Sequence, residues 1–417
     1  MRSTTLCIAA FLMAVSIGVS VAAENCRVCH QVAVTGVHRS LACLDCHVSE
    51  SATVADPAAA GADSPCVRCH KKFGELFNRD MATRAPEQAF VTRSYAKVDR
   101  RFFEKNCTGC HLKSCLDCHE GGGHDLRKPV TERCLSCHKG YYVGWDYAGR
   151  APREDSLRYQ RGRSAGGDYY LTMRPDIHFE KGLSCGDCHS MQSLAIGKRS
   201  AKGCLDCHKV SAGPVEHRIK AHLEKLECYA CHSAWAPQEY GTFYLRFTES
   251  LSRDDFWLKG GDTPSEYLKS AYLRKQDEPP LGLNSRGMVS PIRPQFIAYY
   301  THIRREQVVG NENRLLAAEW KAFFPHTIRR GTLLCDSCHD AASRFLLESR
   351  NARIYRLAED GMGLESFWDR RGQRVANGSF LPEERVKRLM DRGPTFQKGY
   401  IERWQLFSNR AGGSSSP

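Results

Sequence analysis

Ten copies of Cys-x-x-Cys-His punctuate this chain of 417 residues and absorb all but one of its 21 cysteines. They run Cys26–His30, Cys43–His47, Cys66–His70, Cys107–His111, Cys115–His119, Cys134–His138, Cys185–His189, Cys204–His208, Cys228–His232 and Cys335–His339; the remaining cysteine is Cys7. A structural zinc site also uses two cysteines at this spacing, but its other ligands vary. Disulfides would explain paired cysteines and leave the fixed histidine unexplained. A histidine directly after the second cysteine in every copy is the pattern of covalent c-type haem attachment. Two thiols add across two vinyl groups, and the next side chain reaches the iron from one side. Ten covalently bound c-type haems are therefore expected. They would be attached through Cys26, Cys29, Cys43, Cys46, Cys66, Cys69, Cys107, Cys110, Cys115, Cys118, Cys134, Cys137, Cys185, Cys188, Cys204, Cys207, Cys228, Cys231, Cys335 and Cys338. The proximal iron ligands would be His30, His47, His70, His111, His119, His138, His189, His208, His232 and His339.

Such density limits the fold. Between residues 24 and 232 the motifs leave about 23 residues per haem, too few for long helices or a sheet around each cofactor. The expected architecture is short α-helices and loops wrapped around packed haems, with very little β-structure and a more globular, haem-poor C-terminal part. The motifs group as three, three, three and one. Haem clusters are expected over 24–75, 107–140 and 185–232, joined by a connector at 76–106 and an aromatic-rich connector at 141–184. A haem-free insert (233–334) precedes the tenth motif and a helical region (335–411), and the Gly/Ser tail 412–417 reads as disordered. Ser49–Ser64 reads as a linker. Within these stretches Val91–Lys105, Glu216–Glu227, Arg314–Phe324, Pro382–Asp391 and Thr395–Phe407 have helical character, and Phe296–Ile303 reads as a short strand.

The N-terminus has a positive Met1-Arg2, an apolar run Leu6–Val21 and the small residues Val21-Ala22-Ala23 before Glu24. This is the pattern of a secretory signal peptide over residues 1–23. Its removal would take Cys7 away and leave every cysteine in a motif. Export to the periplasm is expected, with outer-membrane association or release to the exterior as further destinations. No other apolar run is long enough to span a bilayer, so membrane association is expected through partners rather than an anchor.

The formal charge of +13 would ordinarily suggest an anionic partner. Roughly twenty haem propionates reverse it to about −7 with ferrous iron, and ferric iron restores about +3. The basic excess mostly balances the chain's own cofactors. No nucleic-acid-binding motif is visible, and no nucleic-acid partner is expected.

Seven histidines lie outside the motifs: His38, His124, His178, His217, His222, His302 and His326. They are the candidate distal ligands, so at most seven haems can be bis-histidine from this chain alone. The other three need methionine, lysine, water, an open position or another subunit. Met81, Met173, Met191, Met288, Met362 and Met390 are better read as gap-fillers than as ligands. Arg286, Arg293, Arg304, Arg305, Arg329 and Arg330 could bind an oxyanion, although pairing with propionates is the plainer role. The tyrosines and tryptophan of the 141–184 connector are read as packing against haem edges. No Cys-x-x-Cys-Lys variant occurs, which weighs against an enzyme role without excluding it, and no catalytic residue is assigned.

Four stretches carry a family resemblance. They are CHKGYYVGWDYAGRAPREDSLRYQRG from Cys137, CHSAWAPQEYGTFYLRF from Cys231, SPIRPQFIAYYTHI from Ser290 and RLLAAEWKAFFPHTIRRGTLLCDSCHD from Arg314. The chain resembles multihaem cytochromes encoded with outer-membrane electron conduits in metal-respiring bacteria of the Geobacter type. Some of these are labelled components of selenite/tellurite reduction operons. The resemblance covers residues 107–405. It implies electron transfer along a haem chain in anaerobic respiration, with redox partners such as other multihaem cytochromes or a porin–cytochrome conduit. The alternative is a terminal reductase of a small oxyanion or a nitrogen or sulfur compound at an open-site haem.

Overall fold

The computed structural model describes residues 34–47, 64–107, 111–138, 146–148, 160–234, 242–248, 256–258, 279–347 and 370–412, apart from short breaks. The signal-like segment, the first motif, the Ser49–Ser64 linker up to Asp63, and the Gly/Ser tail from Gly413 lie outside these residues. The chain divides into two compact units. One comprises 1–86, 109–137 and 184–202; the other comprises 87–108, 138–183 and 203–417.

The first unit is built from single turns. Cys43–Cys46, Pro65–Cys69, Leu116–His119, Thr131–Leu135 and Cys185–Cys188 are helices of four or five residues. The longer pieces are a 3-10 segment, Lys71–Asn78, and the Met191–Ile196 helix. Arg79 joins these two pieces, donating from Nε to the Ala195 carbonyl at 2.8 Å.

The second unit overturns the expectation of very little β-structure. Three strands, β1 (Asp146–Ala148), β2 (Gln160–Ala165) and β3 (Asp168–Thr172), form a sheet in the order β1-β3-β2. A seven-stranded mixed sheet follows. It contains β4 (Thr242–Thr248), β5 (Phe256–Leu258), β6 (Leu281–Asn284), β7 (Val289–Arg304), β8 (Gln307–Ala322), β9 (Arg374–Val375) and β10 (Gly378–Phe380). The spine of this sheet is β7, which pairs antiparallel with β8 and β6 and parallel with β4. Its run of Ile, Phe and Tyr is buried on both faces from Val289 to Tyr299. Such a run suits a central strand. The expected strand Phe296–Ile303 is thus the C-terminal half of a longer one. Pro294 breaks the pattern that announces a central strand, and the register with β8 shifts between Pro294 and Phe296 to accommodate it.

Arg314–Phe324 is also corrected, from a helix to the second half of β8. Leu, Ala, Glu and Trp favour helix locally, but pairing with β7 and burial of Trp320 prevail over a weak preference. Glu216–Glu227 is two pieces, Val215–Arg218 and Lys220–Lys225, separated at the extended Ile219. Around 91–105 the chain forms Ala85–Arg93, Tyr95–Lys97 and Phe102–Cys107. The two C-terminal helices are present as Glu383–Met390 and Pro394–Gly412.

Two apolar clusters tie this unit together. Phe90, Val91, Tyr95 and Phe102 pack on Phe296 and Ala298 of β7, and the Tyr95 hydroxyl donates to the Tyr299 carbonyl at 3.0 Å. Nearby, the buried Glu319 carboxylate receives both Arg93 and Arg374. The second cluster joins Leu281, Val289, Phe345, Leu381 and Val386 to Ala230, one of the two residues between the cysteines of the ninth motif.

Candidate cofactor sites

Each of the eight motifs whose residues are fully described is shaped by a helical turn. The amide of the motif histidine donates to the carbonyl of the first cysteine in His47, His70, His119, His189, His208 and His339, at 2.9–3.0 Å. That bond places residues i and i+3, the two thiols, on one side of the turn. In four motifs an aspartate precedes the second cysteine and caps the turn. Asp45 accepts from the Ala42 amide at 2.8 Å, Asp117 from Lys113 at 2.7 Å, Asp187 from Ser184 at 2.6 Å and Asp206 from Gly203 at 2.7 Å. The signal was present in the sequence as Cys-x-Asp-Cys-His, a short N-capping arrangement.

Five motif histidines face five of the seven other histidines. His47 faces His124 with ring centres 5.9 Å apart, and His70 faces His38 at 6.1 Å. In the second unit the pairs are His208–His178 at 5.9 Å, His232–His217 at 6.0 Å and His339–His222 at 6.2 Å. A five-membered ring with bonds near 1.33 Å puts its nitrogen roughly 1.1 Å from its centre. With a metal–imidazole bond of about 2.0–2.1 Å, two rings on opposite sides of one ion have centres roughly 6.3 Å apart. Ordinary ring contacts span that range too. What distinguishes these contacts is that each of the five joins one motif histidine to one histidine outside the motifs.

The ring nitrogens are poised accordingly. Nδ1 of His119 lies 3.0 Å from the Arg127 carbonyl, that of His217 lies 2.8 Å from Ser211, that of His232 lies 3.0 Å from Arg329 and that of His339 lies 2.7 Å from Leu389. A carbonyl only accepts, so Nδ1 carries the proton and Nε2 keeps its lone pair for a metal. Nδ1 of His178 instead donates to the Asp176 carboxylate at 3.0 Å. Burial pushes the His222 imidazolium below its ordinary range, and the facing His339 adds to the effect. A neutral ring is the form that binds metal.

The thiols show how the motifs neighbour one another. The first cysteines of two motifs are hydrogen-bonded neighbours at Cys66 and Cys115, at Cys134 and Cys185, and at Cys204 and Cys228. Bonding to its partner lowers Cys66 to about 5 and raises Cys115. In the same way Cys185 and Cys228 fall to about 6, while Cys134 and Cys204 rise. Weaker contacts extend the series. Burial raises Cys46, with Cys66, then Asp45, then Cys69 contributing, and raises Cys118, with Asp117 and then Cys137 contributing. Burial pushes Cys231 up to about 12, with Cys338 the next cause. The first unit therefore strings the motifs beginning at Cys43, Cys66, Cys115, Cys134 and Cys185. The second strings those beginning at Cys204, Cys228 and Cys335. The tenth motif, remote in sequence, adjoins the ninth.

The sheet supports the second string. The Glu227 amide donates to the Val289 carbonyl at 2.9 Å, holding the ninth motif to β7. The segment after β8 braces two sites at once. Thr327 O accepts from Ala234 at 2.9 Å, Arg329 N donates to His232 O at 2.7 Å, and the Ile328 amide donates to Asp176 at 2.7 Å. At the tenth motif the ring of Phe396 lies 4.9 Å from that of His339. Tyr400, Trp404 and Phe407 continue the stack along the Pro394–Gly412 helix.

The residues fit haem better than zinc. Among the described residues no group of three or more His, Cys, Asp or Glu is disposed to hold a metal ion, and the cysteines of eight motifs are free thiols. Two opposed imidazoles with two thiols on one turn suit a macrocycle that supplies the remaining iron ligands. His302 lies on β7 opposite Val309 and Phe247. His326, in the left-handed conformation with φ 57°, stands edge-on to Phe324. Neither belongs to the five pairs. Of the arginines, Arg286 pairs with Glu227 and Arg329 with Glu180, while Arg293 is buried with its guanidinium over Phe323. Met390 packs in the second apolar cluster; Met173 and Met362 lie outside the described residues. So do Tyr141, Tyr142, Trp145 and Tyr159, and the side chains of Tyr147, Tyr169 and Tyr170.

Comparison with known proteins gives one partial likeness. The chain is 23% identical over 179 residues to the dissimilatory sulfite reductase MccA of Wolinella succinogenes, covering 34% of this chain and 25% of that protein. The chain thus spans a quarter of the length of the curated relative it matches. No protein-family description matches the chain, and no solved structure matches it. No helix among the described residues is long and apolar enough to cross a membrane.

Proposed function

We propose that this protein is an exported decahaem c-type cytochrome that carries electrons in anaerobic respiration, linked to an envelope or extracellular electron-transfer conduit. The observation that carries this reading is the set of five motif histidines, each opposed by a second histidine at the spacing of two ligands on one ion. Bis-histidine iron is six-coordinate and leaves no position for a substrate, which suits one-electron transfer. Thiol contacts between successive motifs bring neighbouring attachment points together. Bound haem supplies the redox-active iron. The protein's part is to hold ring nitrogens neutral, fix their tautomers through carbonyl partners, and shield the sites with β7 and the C-terminal helices. The partners are redox proteins, such as other multihaem cytochromes or a porin–cytochrome conduit.

A second reading, a terminal reductase at an open-site haem, is favoured by the likeness to a sulfite reductase. Motifs outside the five pairs are where such a site would lie. Intact mass tests the haem count, with a chain beginning at Glu24 plus ten haems expected. Electron paramagnetic resonance of the purified protein separates the two readings. An all-low-spin spectrum unchanged by sulfite, nitrite or selenite supports the carrier. A high-spin haem coupled to turnover replaces it with the reductase.

A further inference from the structure

Resting on the haem reading above, we propose that Asp176 makes the site formed by His208 and His178 the most reducing of the three in the second unit. Electrons would therefore run from it towards the tenth motif. Asp176 is 5% exposed and precedes the short helix Ile177–Glu180 as its N-cap. One carboxylate oxygen accepts from the His178 amide at 2.8 Å and from His178 Nδ1 at 3.0 Å. The other accepts from the Ile328 amide at 2.7 Å. All three donors belong to His178 or to backbone, so no cation among these partners neutralises the carboxylate. Arg329, next to the Ile328 donor, is engaged by Glu180 at 2.8 Å.

The four other described Nδ1 bonds of these histidines end on backbone carbonyls. A buried carboxylate draws the Nδ1 proton more strongly than a carbonyl does and makes Nε2 a stronger donor to metal. Its negative charge, at low dielectric, favours the more positive ferric state. Both effects lower the potential of this site relative to those of His232–His217 and His339–His222, whose described Nδ1 bonds end on carbonyls and where the carboxylate beside His222, Glu216, is ion-paired with Arg403 at 3.0 Å. The thiol contacts place it at one end of the three, beside Cys228, with Cys338 beyond Cys231. An electron passing from this site to the next leaves this iron ferric and the neighbour ferrous, and that step runs downhill.

Asp176→Asn tests the idea in the full-length protein. Asparagine keeps the cap and the oxygen that accepts from His178, removes the charge and gives up the bond from the Ile328 amide. Haem content by mass and pyridine haemochrome should equal wild type, one component of the spectroelectrochemical titration should shift upward, and one low-spin ferric signal should change its g values. Unchanged potentials with full haem content would overturn the proposal and leave the cytochrome reading standing; a wild-type protein without covalent haem would remove that reading instead. His178→Met, His217→Met and His222→Met provide a second measurement, because methionine raises the potential of its own site and so assigns each wave. The wave moved by His178→Met should be the most negative of the three. Any other order refutes the proposal even if Asp176→Asn fails to mature.

Discussion

The two units hold the same kind of motif by different means. In the first, turns of four or five residues follow one another, and the contacts between motifs run through thiols and a few hydrogen bonds. In the second, the ninth and tenth motifs lean on a seven-stranded sheet with an apolar core of its own. The difference teaches where the order of each unit comes from. Apolar surface must be buried against something. The second unit has Phe296, Tyr299 and Trp320 for that purpose, whereas the first, with buried apolar side chains as few as Leu76 and Ala195 among the described residues, would have the faces of the proposed haems.

The largest expected effect breaks this comparison directly. When the chain is produced without covalent haem attachment, hydrogen exchange should show the first unit unprotected while β7 and β8 amides stay protected. Equal loss in both units would show that the sheet too depends on the cofactors. Next comes Phe296→Ala, which should cost about 3–5 kcal/mol of stability in denaturant unfolding by opening a cavity under β7. Glu319→Gln should cost less, about 1–2 kcal/mol, because Arg93 and Arg374 lose a buried partner while solvent still reaches both guanidinium groups. His222→Ala should leave haem content unchanged and convert one low-spin haem to a high-spin, ligand-accessible form, read by resonance Raman. The smallest effect should be Asp45→Ala, a local rise in amide exchange at Cys43–Cys46 with little change in global unfolding.

Much of the site was legible because its chemistry is local. Two thiols and an imidazole within five residues need one turn, and Cys-x-Asp-Cys-His even carries its own cap. The distal partners were legible only as a set of seven histidines; which of them meets which motif depends on contacts such as His222 with His339. The sheet was hidden for a different reason. Pro291 and Pro294 argue against a central strand, and Leu315–Trp320 reads equally well as helix. A bulge and the pairing of β7 with β8 settle both, and neither appears in a local window.

By itself, then, the sequence determined the number of attachment motifs, the turn that shapes each one and the ceiling on histidine pairs, since all three follow from residue identity at fixed spacing. Only the tertiary structure decided that the tenth motif adjoins the ninth, that the buried Asp176 carboxylate takes the Nδ1 proton of His178, and that a sheet braces one string of sites. Those outcomes depend on burial and on pairing between segments remote in the chain, where energies of a few kcal/mol outweigh local propensity.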